Sequence, residues 1–245
     1  NNNLTSLDIS NNTSLTYLHC GNNQLTTLDV SQDTALNVLF CWFNQLTSLD
    51  VSNNPALTSL QCQYNDLTSL DVSNNTALTY LDCAGNQLIN IDVSNNTALT
   101  NLQCHDNDLK NLDVSNNTAL NTLYCQYNYL ASLDVRNGNN TNIINFNSLN
   151  NPNLYCIDVD DAAWSTANWT NIDAWASFNT NCAIALACTD TLACNYDSLA
   201  TIDDGSCIYS TTSYDTIVSN ISISWNGMFL TTSGDYSVTL INSWG

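Results

Sequence analysis

Positive charge is almost missing from this 245-residue sequence. Lys110 and Arg136 stand against 22 acidic residues, for a formal net charge of -20. Affinity for nucleic acid rests on neutralising phosphates with Lys and Arg, so that class of partner is excluded. Anionic lipid surfaces are excluded on the same ground. A chain this acidic stays soluble and tends to recruit cations. Long apolar runs are missing too: nothing approaches the roughly 20 residues of a transmembrane helix, so membrane insertion is not expected. Histidine is scarce. His19 and His105 sit four repeats apart, roughly 19 Å at the spacing of paired strands, too far to share a metal or activate a nucleophile. No G-x-S-x-G, H-E-x-x-H or phosphate loop is present, which argues against an enzyme. No signal peptide is visible and Asn1 is not an initiator Met. The sequence is therefore expected to be a processed or truncated piece of something longer.

Cysteine, by contrast, is abundant, and the eleven residues fall into two populations. Cys20, Cys41, Cys62, Cys83, Cys104 and Cys125 recur every 21 residues. Cys156, Cys182, Cys188, Cys194 and Cys207 are irregular and lie in Asp- and Asn-rich sequence. The second set reads as a disulfide framework, hence an extracellular or cell-surface location. The first set marks a repeat. "LTTLDVSQDTALNVLFCWFNQ" is followed by "LTSLDVSNNPALTSLQCQYND" and "LTSLDVSNNTALTYLDCAGNQ", without insertion, through about residue 135. Each unit holds two half-units, L-x-x-L-D-V-S-x-N and L-x-x-L-x-C-x-x-N. Alternation in each predicts a short extended segment. Leu18 and Cys20 point in while Tyr17 and His19 point out; Leu28 and Val30 point in while Asp29 points out. Each coil thus carries two extended segments about a narrow core that only stacking on neighbours can bury.

The motif "LTYLHCGNNQL" (15–25) and its copy "LTYLDCAGNQL" (78–88) resemble the nested 21-residue bacterial type of leucine-rich repeat, over roughly residues 1–150. The resemblance implies a β-rich solenoid. It implies that Asn23, Asn44, Asn65, Asn86, Asn107 and Asn128 form a buried ladder bonded to backbone at the turn, and a buried amide must indeed be paired. The repeated cysteines read as core thiols rather than metal ligands or disulfides, because in-register parallel neighbours point their Cβ vectors the same way. Stacked aspartates (Asp8, Asp29, Asp50, Asp71, Asp92, Asp113, Asp134) repel by roughly 1–3 kcal/mol per pair at effective dielectrics of 80 to 20. Hydrogen bonds from Ser, Thr and backbone N–H are expected to offset this, with a row of cations as the alternative.

The period breaks in "NLYCIDVDDAAWSTANWTNIDAWASFNTNC". Trp164, Trp169, Trp175 and Phe178 are expected to cover the last coil on short helical turns, with a Cys156–Cys182 disulfide closing a cap over 151–185. This stretch is similar to the C-terminal caps of bacterial surface leucine-rich repeat proteins. "CTDTLACNYDSLATIDDGSC" resembles an Asp- and Cys-rich module of secreted Bacteroidetes proteins (186–209). Asp190, Asn195, Asp197, Asp203 and Asp204 offer hard oxygen ligands of the kind calcium takes, though without EF-hand spacing. The plain alternative is a solvated turn stapled by Cys194–Cys207, leaving Cys188 to a partner beyond Gly245. Residues 210–245 alternate around "WNG" and "TSGDY" and read as part of a β domain. They resemble the C-terminal β-repeats of Bacteroidetes surface proteins, which commonly leave the cell by type IX secretion. In that setting Thr34, Thr191, Ser198 and Thr216, each in a D-[S/T]-aliphatic triplet, are candidate O-glycosylation sites.

One side of the repeat, D-V-S-N-N-T-A, scarcely varies; the other varies at its outward positions. Tyr17, Phe40, Trp42, Phe43, Tyr64, Tyr80, Tyr124, Tyr127 and Tyr129 lie on the variable side. Exposed aromatics on a constant scaffold mark a contact site. The expectation is a non-catalytic adhesion or binding protein that holds a glycan or surface protein there. The plain alternative is that Phe43 and Tyr64 pack into the rim. A different class, a filament or spacer subunit joined head to tail, follows from a first coil without a polar cap of its own.

Overall fold

In a computed structural model, the described residues are 2–197, 200, 202–203, 205–215, 223–225, 228–230 and 236–241. The chain forms two compact units, 1–182 and 183–245. In the first, three-residue strands recur once per coil on the L-x-C side: β1 (Tyr17–His19), β2 (Val38–Phe40), β3 (Ser59–Gln61), β4 (Tyr80–Asp82) and β5 (Asn101–Gln103). After β6 (Asn111–Asp113) on the opposite side, β7 (Thr122–Tyr124), β8 (Ser132–Asp134) and β9 (Asn145–Asn147) alternate between the two sides. β10 (Cys156–Asp158) and β11 (Ser177–Asn179) extend the second side. All pairing is parallel, in the orders β1-β2-β3-β4-β5-β7-β9 and β11-β10-β8-β6. Leu18, Leu39, Leu60, Leu81, Leu102, Leu123 and Phe146 stand in one register.

The fold is the β-solenoid the repeat predicts. Each coil buries the same set, for example Leu46, Leu49, Val51, Leu57, Leu60 and Cys62. Full burial of one such Leu or Val contributes about 1.5–3 kcal/mol. The six repeated cysteines are buried thiols. Burial pushes the Cys20 thiol up to about 11 and Cys125 up to about 12.

Two expectations change. On the D-V-S side, strand pairing is formed only from Asn111 onward; in the preceding coils Leu and Val of that side still point inward, but without a ladder. The solenoid also runs on through the segment expected as a cap, since β10 and β11 continue the second sheet. A helix α1 (Ala162–Asn168) is started by Asp161, whose carboxylate accepts from the N–H groups of Ala163 and Trp164, as an N-cap should. Trp169 stacks on Phe146 at 4.3 Å, and Trp164 and Phe178 pack against Trp169. The Trp169 indole N–H donates to the Ile143 carbonyl at 3.0 Å. Trp175 takes no part and stays half exposed. The Cys156–Cys182 disulfide is present.

In the second unit, β12 (Leu186–Ala187) pairs in parallel with β13 (Ile202–Asp203). Antiparallel pairs join β14 (Ser210–Asp215) with β17 (Tyr236–Ile241), and β15 (Ile223–Trp225) with β16 (Met228–Leu230). The second disulfide joins Cys188 to Cys207, not Cys194 to Cys207. The Cys194 N–H donates to the Ile208 carbonyl at 2.7 Å, and the Ile208 N–H donates to Asn195. These bonds set Cys194 beside Ile208, one residue out of register with Cys207, and leave its thiol exposed. Cys188 is fully buried with its Cα 4.7 Å from that of Cys207. Cys188 therefore needs no partner beyond Gly245. Among the described residues no helix is long and apolar enough to cross a membrane.

A candidate contact face built on constrained turns

The Asn ladder positions the turns after each L-x-C strand. Asn44 Nδ2 donates to the carbonyls of Cys20 and Cys41, and its Oδ1 accepts from the Leu25 N–H at 3.0 Å. Asn65 repeats this with Cys41, Cys62 and Leu46. Asn86, Asn107 and Asn128 follow, and Asn151 continues the column after a longer coil.

With the turn so fixed, one residue per coil is forced to positive φ: Asn22, Phe43, Tyr64, Gly85, Asp106, Tyr127 and Asn150. Gly, Asn and Asp suit this left-handed conformation; bulky residues do not, at a cost of roughly 1–2 kcal/mol each. Phe43, Tyr64 and Tyr127 therefore stand where backbone preference is against them. The sequence hides this because spacing does not report φ. The available signal was the Gly, Asn and Asp that fill the same place in other coils.

Phe43 and Tyr64 stack with centroids 4.5 Å apart and planes 9° from parallel. Trp42 meets Phe43 edge-on at 5.8 Å. His19 bridges Trp42 at 5.4 Å and Phe40 at 5.8 Å, and Tyr17 meets Phe40 at 5.6 Å. Five of the sequence-identified aromatics (Tyr17, Phe40, Trp42, Phe43, Tyr64) thus form one chain of rings, with His19 as an added member. Two glycines make room. A Cβ on Gly21 would lie 2.9 Å from the Trp42 ring, and Tyr64 lies against Gly85 in the same way. Tyr17, Phe43 and Tyr64 remain about half exposed, while Phe40 and Trp42 are half-buried by their neighbours. A groove of about 550 Å³ runs beside Trp42, His19 and Leu18.

The remaining candidates lie apart. Tyr80 accepts from Gln103 Nε2 at 2.8 Å, beside the buried Asp82, whose carboxyl burial pushes up. Tyr127 and Tyr129 line a separate groove of about 530 Å³ with Asp106, Asp108 and Pro152. Tyr124 sits on β7, half-buried. His105 meets Asp106 at 2.8 Å, four coils from the strand that carries His19.

On the opposite side, each ladder aspartate accepts from the N–H two residues on: Ser31 on Asp29, Ser52 on Asp50, Ser73 on Asp71 and Ser94 on Asp92. The serine hydroxyl and N–H hold Asp29, Asp50 and Asp71 below the usual carboxylate range, against a weaker upward push from desolvation, joined at Asp29 and Asp71 by the charge of Asp50. The expected internal hydrogen bonds thus outweigh the repulsion. Arg136 adds ion pairs with Asp134 and Asp158 at the end of the row.

In the second unit three of the residues expected to offer calcium ligands, Asp190, Asn195 and Asp203, have side-chain oxygens engaged within the chain. Asp190 accepts from the Leu192 N–H and the Tyr209 hydroxyl. Asn195 bonds Ser206 and Ile208, and Asp203 accepts from the Gly205 N–H. The Asp197 N–H donates to the Cys188 carbonyl. No three acidic, His or Cys side chains among the described residues converge as a metal cluster. Thr34 and Thr191 are exposed; Asp204, Ser198 and Thr216 lie outside the described residues.

No family model and no curated protein matches the chain. Solved structures do. An internalin (InlF) of Listeria monocytogenes is 24% identical over 67% of this chain and 48% of its own, with a TM-score of 0.52. A leucine-rich repeat protein of Leptospira interrogans is 20% identical over 70% of this chain and 50% of its own, also at 0.52. The functional domain of InlJ from Listeria monocytogenes is 29% identical over 64% of this chain and 52% of its own, at 0.42. The chain spans about half the length of these proteins. With its parallel one-strand coils, Asn ladder and these two bacterial structures at 0.52, the fold of the first unit is that of a leucine-rich repeat solenoid.

Proposed function

We propose that the protein is a non-catalytic, secreted or surface-displayed binding module that docks a protein partner on the aromatic chain of its first three coils. The observation that carries this is the placement of Phe43 and Tyr64, in adjacent coils, at left-handed turn positions that four of the other five coils fill with Asn, Gly or Asp. Backbone strain held by its surroundings clusters at sites of function. Contiguous, half-exposed aromatics are the anchors that interfaces use. One face of Phe43 is spent on Tyr64, and Tyr64 is held between Phe43 and Gly85, which favours a protein surface over the open-face stacking a sugar needs. Two disulfides fit an oxidising, extracellular setting.

The test is Phe43→Asn combined with Tyr64→Asn. Relief of left-handed strain and loss of ring stacking, about 0.5–1.5 kcal/mol, oppose each other. With two positions relieved at roughly 1–2 kcal/mol each and one stack lost, folding stability should be kept or raised. Wild type and variant are compared as baits for cell-surface extracts, and on a glycan array. The reading predicts a protein retained by wild type and lost by the folded variant. A glycan lost in the same way would make the face lectin-like. If every partner survives the change, the face is not the site; end-to-end fibres in negative stain would then support the filament alternative.

A further inference from the structure

A second Asn column runs down the D-V-S-N-N side. Asn54 Nδ2 donates to the carbonyls of Val30 and Asp33, 24 and 21 residues back, both at 2.9 Å. Asn75, Asn96 and Asn117 do the same in their coils, and all four are fully buried. One coil earlier the column holds Asp33. The backbone there is unchanged: Asp33 N–H meets the Val30 carbonyl, as Asn54 N–H meets Val51, and Asn12 N–H meets Ile9. By the same offsets, the oxygen of Asp33 that replaces the amide nitrogen faces the carbonyls of Ile9 and Asn12. An amide donates there; a carboxylate cannot.

Asp33 is only 1% exposed, and neither of its carboxyl oxygens has a hydrogen-bond partner among the described residues. Burying an ionised carboxylate without a partner is costly enough that something must neutralise it. Asp33 lines the floor of a small surface cavity of about 50 Å³ with Asp8, Ser10, Asp29 and Gln32, each carrying a side-chain oxygen, and with Leu7 and Ile9. Asp8 and Asp29 each accept from the N–H and the hydroxyl of the serine two residues on, and as carboxylates each keeps lone pairs that can still accept from water bound to a cation. We propose that this cavity between the first two coils binds a hard cation of the calcium class. Asp33 and the main-chain carbonyl of Ile9 ligate it directly, and Asp8 and Asp29 act through bound water. Such a mixed set of carboxylate, carbonyl and water is what calcium takes. It needs no convergence of three acidic side chains. The cation does for Asp33 what the amide proton does for Asn54.

The experiment uses the full chain with calcium chloride, read by calorimetric titration and thermal melting. Asp33→Asn restores the column and should melt higher than wild type in chelator. It should bind one calcium fewer per chain, and lose that part of the calcium-induced rise in Tm. Asp29→Asn leaves the column intact and should weaken the same site at least tenfold. Equal stoichiometry and equal calcium response in wild type and Asp33→Asn would overturn the proposal. So would a wild type that gains the missing stability from lowered pH alone, because Asp33 would then be held as a neutral acid.

Discussion

The two rims of the solenoid use the same device, a buried Asn column, and differ in what it leaves over. On the L-x-C side the amide makes three bonds, two donated and one accepted, all to backbone. Backbone plus Asn completes the turn, so the outward side chains are released from structural duty. They can be Gln61, Phe40 or His19 without altering the coil. On the D-V-S side the amide donates twice, but Oδ1 of Asn54, Asn75, Asn96 and Asn117 has no hydrogen-bond partner among the described residues. There the outward Asp is itself part of the turn, accepting from the N–H two residues on. That rim is constant because its polar side chains are already in use. The other can vary because they are not.

Deleting one amide on each rim gives the largest expected effect. Asn65→Ala strands the Leu46 N–H in the core and takes one of two amide donors from each of the Cys41 and Cys62 carbonyls, which keep Asn44 and Asn86; at about 1–3 kcal/mol for the group left unpaired and about 0.5–1.5 kcal/mol for each lost bond, roughly 2–4 kcal/mol is lost. Asn75→Ala removes two bonds and no acceptor for a backbone N–H, and should cost about half as much. Urea unfolding of the pair measures the difference. Equal losses would mean that the unpartnered oxygen on the D-V-S side matters as much as the paired one.

Acid should act on the constant rim first. Asp29, Asp50 and Asp71 titrate below their ordinary value in the folded state, so their stabilisation is present above about pH 4 and is lost as pH falls through the lowered values. Burial raises Asp82, on the variable face, so its contribution has the opposite sign and fades as pH rises. Urea midpoints from pH 5 to 2 should fall, and the fall should be shallower in Asp71→Ala. An unchanged slope in that variant would remove the Asp–Ser turns as its cause.

The smallest effect sharpens the other rim. Tyr127 has positive φ like Phe43 and Tyr64, yet no ring contact to another aromatic among the described residues. Tyr127→Asn should raise stability by up to about 1 kcal/mol, visible as a higher melting temperature. A drop instead would place Tyr127 in structural packing over its groove.

The sequence period revealed much of this and concealed particular parts. Twenty-one-residue spacing fixed the coil and its inward Leu, Val and Cys, because a stacked coil must repeat its buried set; the first Asn column was implied by the resemblance to leucine-rich repeats. It could not show which Asn of each "SNN" turns inward; Asn53 is exposed and Asn54 buried, and both have the same period. It could not separate Cys188 from Cys194 as the partner of Cys207, since main-chain register and not spacing decides that. Trp175 looked like a member of the cap because hydrophobicity carries no direction. The aromatic cluster was visible as residues; its left-handed turns and its glycine floor came only with the backbone.

The column of thiols has a consequence for how this molecule comes apart. Each coil carries one cysteine, shielded by the coils above and below and held protonated by burial. Only the thiolate reacts, and only when exposed. Modification of Cys20, Cys41, Cys62, Cys83, Cys104 and Cys125 therefore clocks the opening of six successive coils, with the exposed Cys194 as an internal zero. The order in which an alkylating reagent finds them would write out, coil by coil, where unstacking begins and how far it travels before the solenoid lets go.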